Sequence, residues 1–294
     1  MNGVINIYKN TGMTSFDVVA RVRKVAKMKK VGHTGTLDPE ASGVLPVCLG
    51  KATKIIDYIM ENKKVYRVNL KLGIVTDTYD LEGKVLETKD ASHITKEEIM
   101  ECINSFLGTI DQVPPMYSAL KQNGVRLYEL ARQGIEVHRE ARKVTIHYIE
   151  NINIESVDNI QMDVCCSKGT YIRSLCYDIG EKLNVGATMT ALERIQNGPF
   201  TKEEAINIDD LTEELLEKYL ISIEDALDSF EKMVVNQKYG KLLRNGVKVF
   251  DNRIYNSEIA FDTLYRVYEE SGLFLGLGKR DKEGFKLEKL LIEE

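Results

Sequence analysis

The segment "GHTGTLDPEASGVLP", Gly32–Pro46, gathers conformational restriction around a single aspartate. Glycines at 32, 35 and 43 permit backbone angles closed to other residues, and Pro39 drives Asp38 towards an extended conformation. A loop built this way can hold a carboxylate rigidly at a surface. A carboxylate is a nucleophile at neutral pH without a partner base. Asp before Pro also commonly caps the following turn, and composition leaves both readings open.

The flanks of this loop are regular. "GVINIYK", Gly3–Lys9, reads as a strand. Thr14 or Ser15 then caps a helix with Asp17 in its first turn, where negative charge is favoured. Val18, Val22 and Val25 share one face of that helix, and Arg23, Lys27 and Lys30 make a basic row. "KATKIIDYIM" reads as a second helix. "VYRVNLKLG", Val65–Gly73, alternates as a strand with Tyr66, Val68, Leu70 and Leu72 on one side. Thr95 and Glu98 form a capping box for a helix carrying Ile99, Ile103 and Phe106.

Further along, residues 143–154 and 160–166 are rich in β-formers. "GTYIRSLCYDIGEKLN" follows as a helix whose apolar stripe leaves Arg173 off the core face, in the first turn. Residues 202–230 read as acidic and helical, and the chain then shifts to a short basic helix and glycine-punctuated strands. This mixed order predicts an α+β fold, with a main domain over 1–230 and a small β-rich domain over 231–294.

Net charge is −5 over 294 residues, yet the first 70 residues hold 12 Lys+Arg against 5 Asp+Glu. The restricted loop therefore lies in the one strongly basic part of the chain, which suits a polyanion partner as well as a solvated face. Five scattered cysteines and four scattered histidines lack the paired spacing of a zinc site, so no metal is expected. No apolar run approaches a membrane span, and the N-terminal segment lacks a signal-peptide pattern, so a cytoplasmic protein is expected.

Other chemistries fit poorly. No Gly-Lys-Ser/Thr ends the loop as in a P-loop, and no G-x-S-x-G marks a serine hydrolase. Asp38 with Asp77 or Asp80 could form a glycosidase pair, which spacing cannot test. Arg173, at a helix start after Gly169, can hold a carboxylate bidentately or be an ordinary surface arginine. Tyr66 is a half-buried sheet tyrosine or a stacking platform for a base.

Taken together, the motifs resemble those of the TruB-type tRNA pseudouridine-55 synthases. "GHTGTLDPEASGVLP" resembles that family's catalytic loop and "KNTGMTS", Lys9–Ser15, its N-terminal motif. "KVYRVNLKLG", "VTDTYDLEG", "PPMYSALKQNGVRLYELARQG" and "CSKGTYIRSL" match in family order, over roughly residues 3–200. The resemblance implies isomerisation of a uridine in the T-loop of tRNA, without cofactor or metal, by a monomer. It implies a mostly antiparallel mixed sheet with flanking helices, followed by a PUA-like RNA-binding domain.

By the same resemblance Asp38 is the catalytic aspartate, Tyr66 stacks on the flipped uracil, where it can also help deprotonate C5, and Arg173 pairs with Asp38. His33 lies near the T-loop where the base leaves its stack, and Leu192 lines the base pocket. Lys9, Tyr171 and Arg194 join the substrate-binding set. The segment "TALERIQNGPF" departs from the family, because Glu193 stands where the first of two arginines is usual. The rival readings are an RNA-binding module without turnover and a nucleosidase that releases uracil.

Overall fold

The structure is a computed structural model, and it describes residues 1–156, 158–254 and 259–292. A ten-stranded sheet forms its centre. Along it lie Ile206–Asn207, Gly3–Lys9, Ser42–Leu49, Ala187–Asn197, Lys64–Leu72, Asn159–Cys166, Arg142–Ser156 and Gly108–Gln112, with two short strands paired at the side. Within this sheet, among the described residues, only Gly3–Lys9 with Ile206–Asn207, and Ser42–Leu49 with Ala187–Asn197, run parallel. The α+β, mostly antiparallel expectation holds.

The restricted segment is not all loop. It starts in the strand Val31–His33 and ends in Ser42–Leu49. In that second strand Val44, Leu45, Val47, Cys48 and Leu49 are all fully buried, because alternate side chains enter different cores. Leu45, Val47 and Leu49 pack with Val18 and Val22 of the helix Ser15–Val25. Val44 and Cys48 pack on the other face with Ile55, Phe200, Leu277 and Leu291. Each large aliphatic buried this way stabilises by roughly 1.5–3 kcal/mol.

Local signals were followed closely where they were strong. Thr14 closes a capping box with Asp17, and Thr95 one with Glu98. The strand Lys64–Leu72 buries Val68, Leu70 and Leu72 as its alternation required. Three expectations are corrected. The first helix ends at Val25, so Lys27 and Lys30 lie beyond it and the basic row is broken. "KATKIIDYIM" is a 3-10 stretch, Gly50–Ile55, running into a one-turn α-helix, Ile56–Met60.

Residues 202–230 are the third correction: they form only one short α-helix, Glu213–Lys218, with a strand that joins the sheet. Their acids have a use there. Asp209 pairs with Arg21 and Glu213 with Lys27, so the acidic segment covers part of the basic one.

A four-stranded sheet follows, ordered Glu231–Val235, Leu264–Glu269, Phe274–Asp281 and Gly284–Leu290, with the helix Gln237–Arg244 packed on it. It docks through Leu277 and Leu291, and Lys51 and Lys54 donate to the carbonyls of Ile292 and Leu290. Among the described residues no helix is long and apolar enough to cross a membrane.

Candidate active site

Three adjacent strands and one helix build the site. The loop carrying Asp38 leads into Ser42–Leu49; its neighbour Ala187–Asn197 carries Leu192 and Arg194; the next, Lys64–Leu72, carries Tyr66. Arg194 and Tyr66 are register partners, as are Leu192 and Val68, so the four side chains share one face. The helix Ile172–Lys182 brings Arg173 to Asp38.

Asp38 is held through its backbone. Its carbonyl accepts from Ala41 at 3.1 Å, closing a turn with Pro39 at the second position. The Pro39 carbonyl accepts from Gly12 N–H at 3.0 Å and from Lys9 Nζ at 2.9 Å. Ser15 Oγ accepts from Leu37 N–H at 2.8 Å and donates to the Leu37 carbonyl at 3.1 Å. Leu37 itself is buried. The side chain of Asp38 stays 43% exposed, and its Oδ2 lies 3.0 Å from Arg173 Nη2. The carboxylate thus faces the arginine while the backbone makes the turn, which separates the two readings that composition left open.

Arg173 departs from its expected position off the core: it is only 6% exposed. Nη1 donates to the Thr78 carbonyl at 3.2 Å and Nη2 to that of Tyr117 at 2.9 Å. Nη1 also stands 3.4 Å from Asp80 Oδ2. The fork is therefore divided between two carboxylates, rather than bidentate on one. A guanidinium's many donors are what let it be buried with every side in use.

Asp80 is the residue at Arg173 that sequence reasoning left without a role. It had been weighed as a glycosidase partner of Asp38, yet it meets Arg173, and Thr78 Oγ1 and Glu82 N–H donate to its Oδ1. Asp77 accepts from Lys84 N–H and shapes the hairpin. The signal was present in "VTDTYDLEG", but only the fold shows which of its three acids reaches the arginine.

Two further expectations change. Lys9 is fully buried, and its ammonium donates to the carbonyls of Asn10, Met13 and Pro39 at 2.9, 2.6 and 2.9 Å. Burial lowers its pKa to about 8, against the opposing pull of Glu40 and Asp38. Arg194 is 1% exposed, donating from Nε to Val44 O at 2.7 Å and from Nη2 to Gly35 O at 3.1 Å. Both cations point inward and brace the Asp38 loop, where the sequence placed them in the substrate-binding set.

Tyr66, His33 and Tyr171 are the other residues singled out in the sequence. Tyr66 is partly exposed and packs against both inner clusters. Burial raises its pKa, with the Arg194 charge opposing, so its phenol is neutral at neutral pH. His33 is partly exposed; burial and then the Arg194 charge lower its pKa, and its Nδ1 accepts from Gly35 N–H at 3.2 Å. Tyr171 caps the Arg173 helix, its backbone held on both sides by the Gln112 amide.

Glu193 lies on the opposite face of the sheet from Leu192 and Arg194, as the register partner of Arg67. It accepts from Tyr8 Oη at 2.6 Å and pairs with Lys202 at 2.6 Å. The departure from the family pattern therefore falls away from Asp38.

The chain is similar to known proteins along its whole length. Residues 23–172 match the N-terminal domain of the TruB family of pseudouridylate synthases, and residues 173–234 match the C-terminal domain of tRNA pseudouridylate synthase B. The boundary between these matches falls at Arg173, inside the unit formed by the main sheet. A Clostridium perfringens (strain SM101 / Type A) protein named tRNA pseudouridine synthase B is 87% identical over 294 residues, the whole of both chains. Its namesake from Clostridium tetani (strain Massachusetts / E88) is 56% identical, over 99% of this chain and all of that one.

Among solved structures, a Cbf5–Nop10–Gar1 complex superposes with a TM-score of 0.77 at 28% identity, over 99% of this chain and 85% of that one. An H/ACA RNP bound to a substrate RNA containing 2'-deoxyuridine gives 0.75 at 26%, with the same coverage. From the order of its motifs, the matched sheet and relatives aligned end to end, the chain belongs to the TruB family of pseudouridylate synthases.

Proposed function

We propose that the chain isomerises uridine 55 in the T-loop of tRNA to pseudouridine, with Asp38 acting on a base flipped out of the loop. The observation that carries this reading is the Asp38–Arg173 pair: a half-exposed carboxylate on a braced loop, held against a buried guanidinium. The relatives' shared name supports tRNA as the substrate.

The reaction needs no other reactant. The C1′–N1 bond breaks, the uracil turns, C1′ bonds to C5, and the C5 hydrogen leaves as a proton while N1 gains one. Asp38 supplies the anionic oxygen for breaking the first bond, and Arg173 fixes where that oxygen stands. Tyr66, being neutral, stacks on the uracil; its raised pKa favours that role over taking the C5 proton. Extruding the base costs a few kcal/mol, which stacking at roughly 1–3 kcal/mol per base and phosphate contacts offset. His33, Tyr171 and Leu192 line the base's path, and Lys9 and Arg194 keep the loop in place. The unit from 231 onward serves as an added RNA-binding surface, and the enzyme works as a cytoplasmic monomer.

The test uses an unmodified tRNA transcript tritiated at uridine C5, with wild type and Asp38→Asn assayed together. Tritium release by wild type, none by the variant and pseudouridine at position 55 is the expected result. Free uracil would identify a nucleosidase, and tRNA bound without release would identify a binding module.

A further inference from the structure

Tyr79 stands between the two groups of its turn that hold Arg173, the Thr78 carbonyl and the Asp80 carboxylate. Its backbone is left-handed, with φ at 65°. Among the described residues the other non-glycine positive φ values belong to three asparagines, one aspartate and Lys27 just past a helix end. Asparagine and aspartate tolerate this region; a bulky aromatic residue is sterically strained in it. Such a conformation persists only where the surroundings enforce it.

The enforcing contact comes from the arginine's own helix. The Tyr79 ring stacks on Tyr177, with centroids 4.2 Å apart and planes at 23°. Tyr177 follows Arg173 by four residues in Ile172–Lys182, so both project from one helix face. That face grips the turn twice, by the guanidinium on its carbonyl and carboxylate and by the ring on its middle side chain. The Tyr79 carbonyl accepts from Met189 N–H at 3.0 Å, and Thr76 Oγ1 donates to the Asp80 carbonyl at 2.6 Å, closing the turn.

We propose that the Tyr79–Tyr177 stack is a positioning device: it holds residues 78–80 in their strained conformation and thereby sets the Arg173 fork against Asp38. The proposal rests on the reading of Asp38 as the reacting carboxylate. Both tyrosines act through Arg173 and are positioning residues.

The test is steady-state tritium release from the C5-labelled transcript. Tyr177→Ala lowers kcat about tenfold, the scale set by the strain of one left-handed residue, and leaves KM unchanged. Tyr177→Phe, which keeps the ring, retains wild-type kcat. Adding Tyr79→Gly to Tyr177→Ala restores most of kcat, because glycine adopts φ of 65° without steric cost; adding Tyr79→Ala does not. A merely structural role would make the glycine variant the worse of the two, and thermal melts establish that each variant is folded. Wild-type kcat in Tyr177→Ala, or equal effects of glycine and alanine, overturns the proposal. Asp38→Asn is run alongside: turnover by that variant defeats the reading of Asp38, whereas a dead Asp38→Asn beside a fully active Tyr177→Ala defeats the tyrosine proposal alone.

Discussion

The Cβ that Gly43 lacks would stand 2.2 Å from the carbonyl oxygen of Arg194. The two residues are register partners where Ser42–Leu49 and Ala187–Asn197 run parallel, and Gly43 has φ of 113°. Gly43→Ala therefore meets both a backbone it cannot adopt and a strand it cannot approach. The expected destabilisation is about 2–4 kcal/mol, with turnover lost in proportion because the Asp38 loop hangs from this contact. Chemical denaturation measures it, and an unchanged midpoint would mean that the strands separate at little cost.

Arg173→Lys removes the divided fork. One ammonium cannot meet two carboxylates and two carbonyls that Nη1 and Nη2 now share. Single-turnover rates are expected to fall by roughly a hundredfold, a loss of about 2.7 kcal/mol of transition-state stabilisation, with tRNA affinity within a few-fold. A normal rate in this variant would separate Arg173 from the chemistry.

What could be read from the chain alone was whatever is decided within a few residues. The Thr14–Asp17 and Thr95–Glu98 boxes and the alternation of Val68, Leu70 and Leu72 need no distant partner. Asp38, Tyr66 and Arg173 were legible as a set through the resemblance of several motifs in order, not through their spacing. What escaped was tertiary. Lys9 and Arg194 look like surface cations, and only the converging carbonyls of Pro39, Gly35 and Val44 make their burial tolerable. Asp80 gave no sign of its partner, because the turn that aims it depends on a left-handed tyrosine that no propensity favours.

Binding should be strongly salt-dependent if the basic N-terminal part meets phosphates. With Arg21 and Lys27 paired to Asp209 and Glu213, the exposed cations left on that surface include Lys24, Lys29 and Lys30. Replacing these three with glutamine is expected to weaken tRNA binding at low salt. It should also flatten the slope of log affinity against log salt by roughly 0.7 per lost contact. Filter binding across a salt series measures both. An unchanged slope would move the RNA footprint to another face.

Asp178 makes stability depend on pH in a direction opposite to most carboxylates. Burial on the helix Ile172–Lys182 pushes its pKa from 3.8 up to about 6, with the negative Glu181 one turn on adding to the effect. Between those two values the folded chain keeps a proton that the unfolded chain releases. Folding therefore takes up a proton there, and this group's contribution to stability falls as pH rises from 3.8 through about 6. Above that window the folded protein carries the whole cost of a poorly solvated carboxylate; below it the cost is gone. Asp178→Asn is expected to melt higher than wild type at pH 7.5, with the difference shrinking as pH is lowered towards 4. Thermal melts of both proteins across that range isolate Asp178 together with its coupling to Glu181, since carboxylates that do not interact with it cancel in the comparison. A difference that stays constant with pH would assign the effect to packing of the amide, and the charge would then be solvated after all.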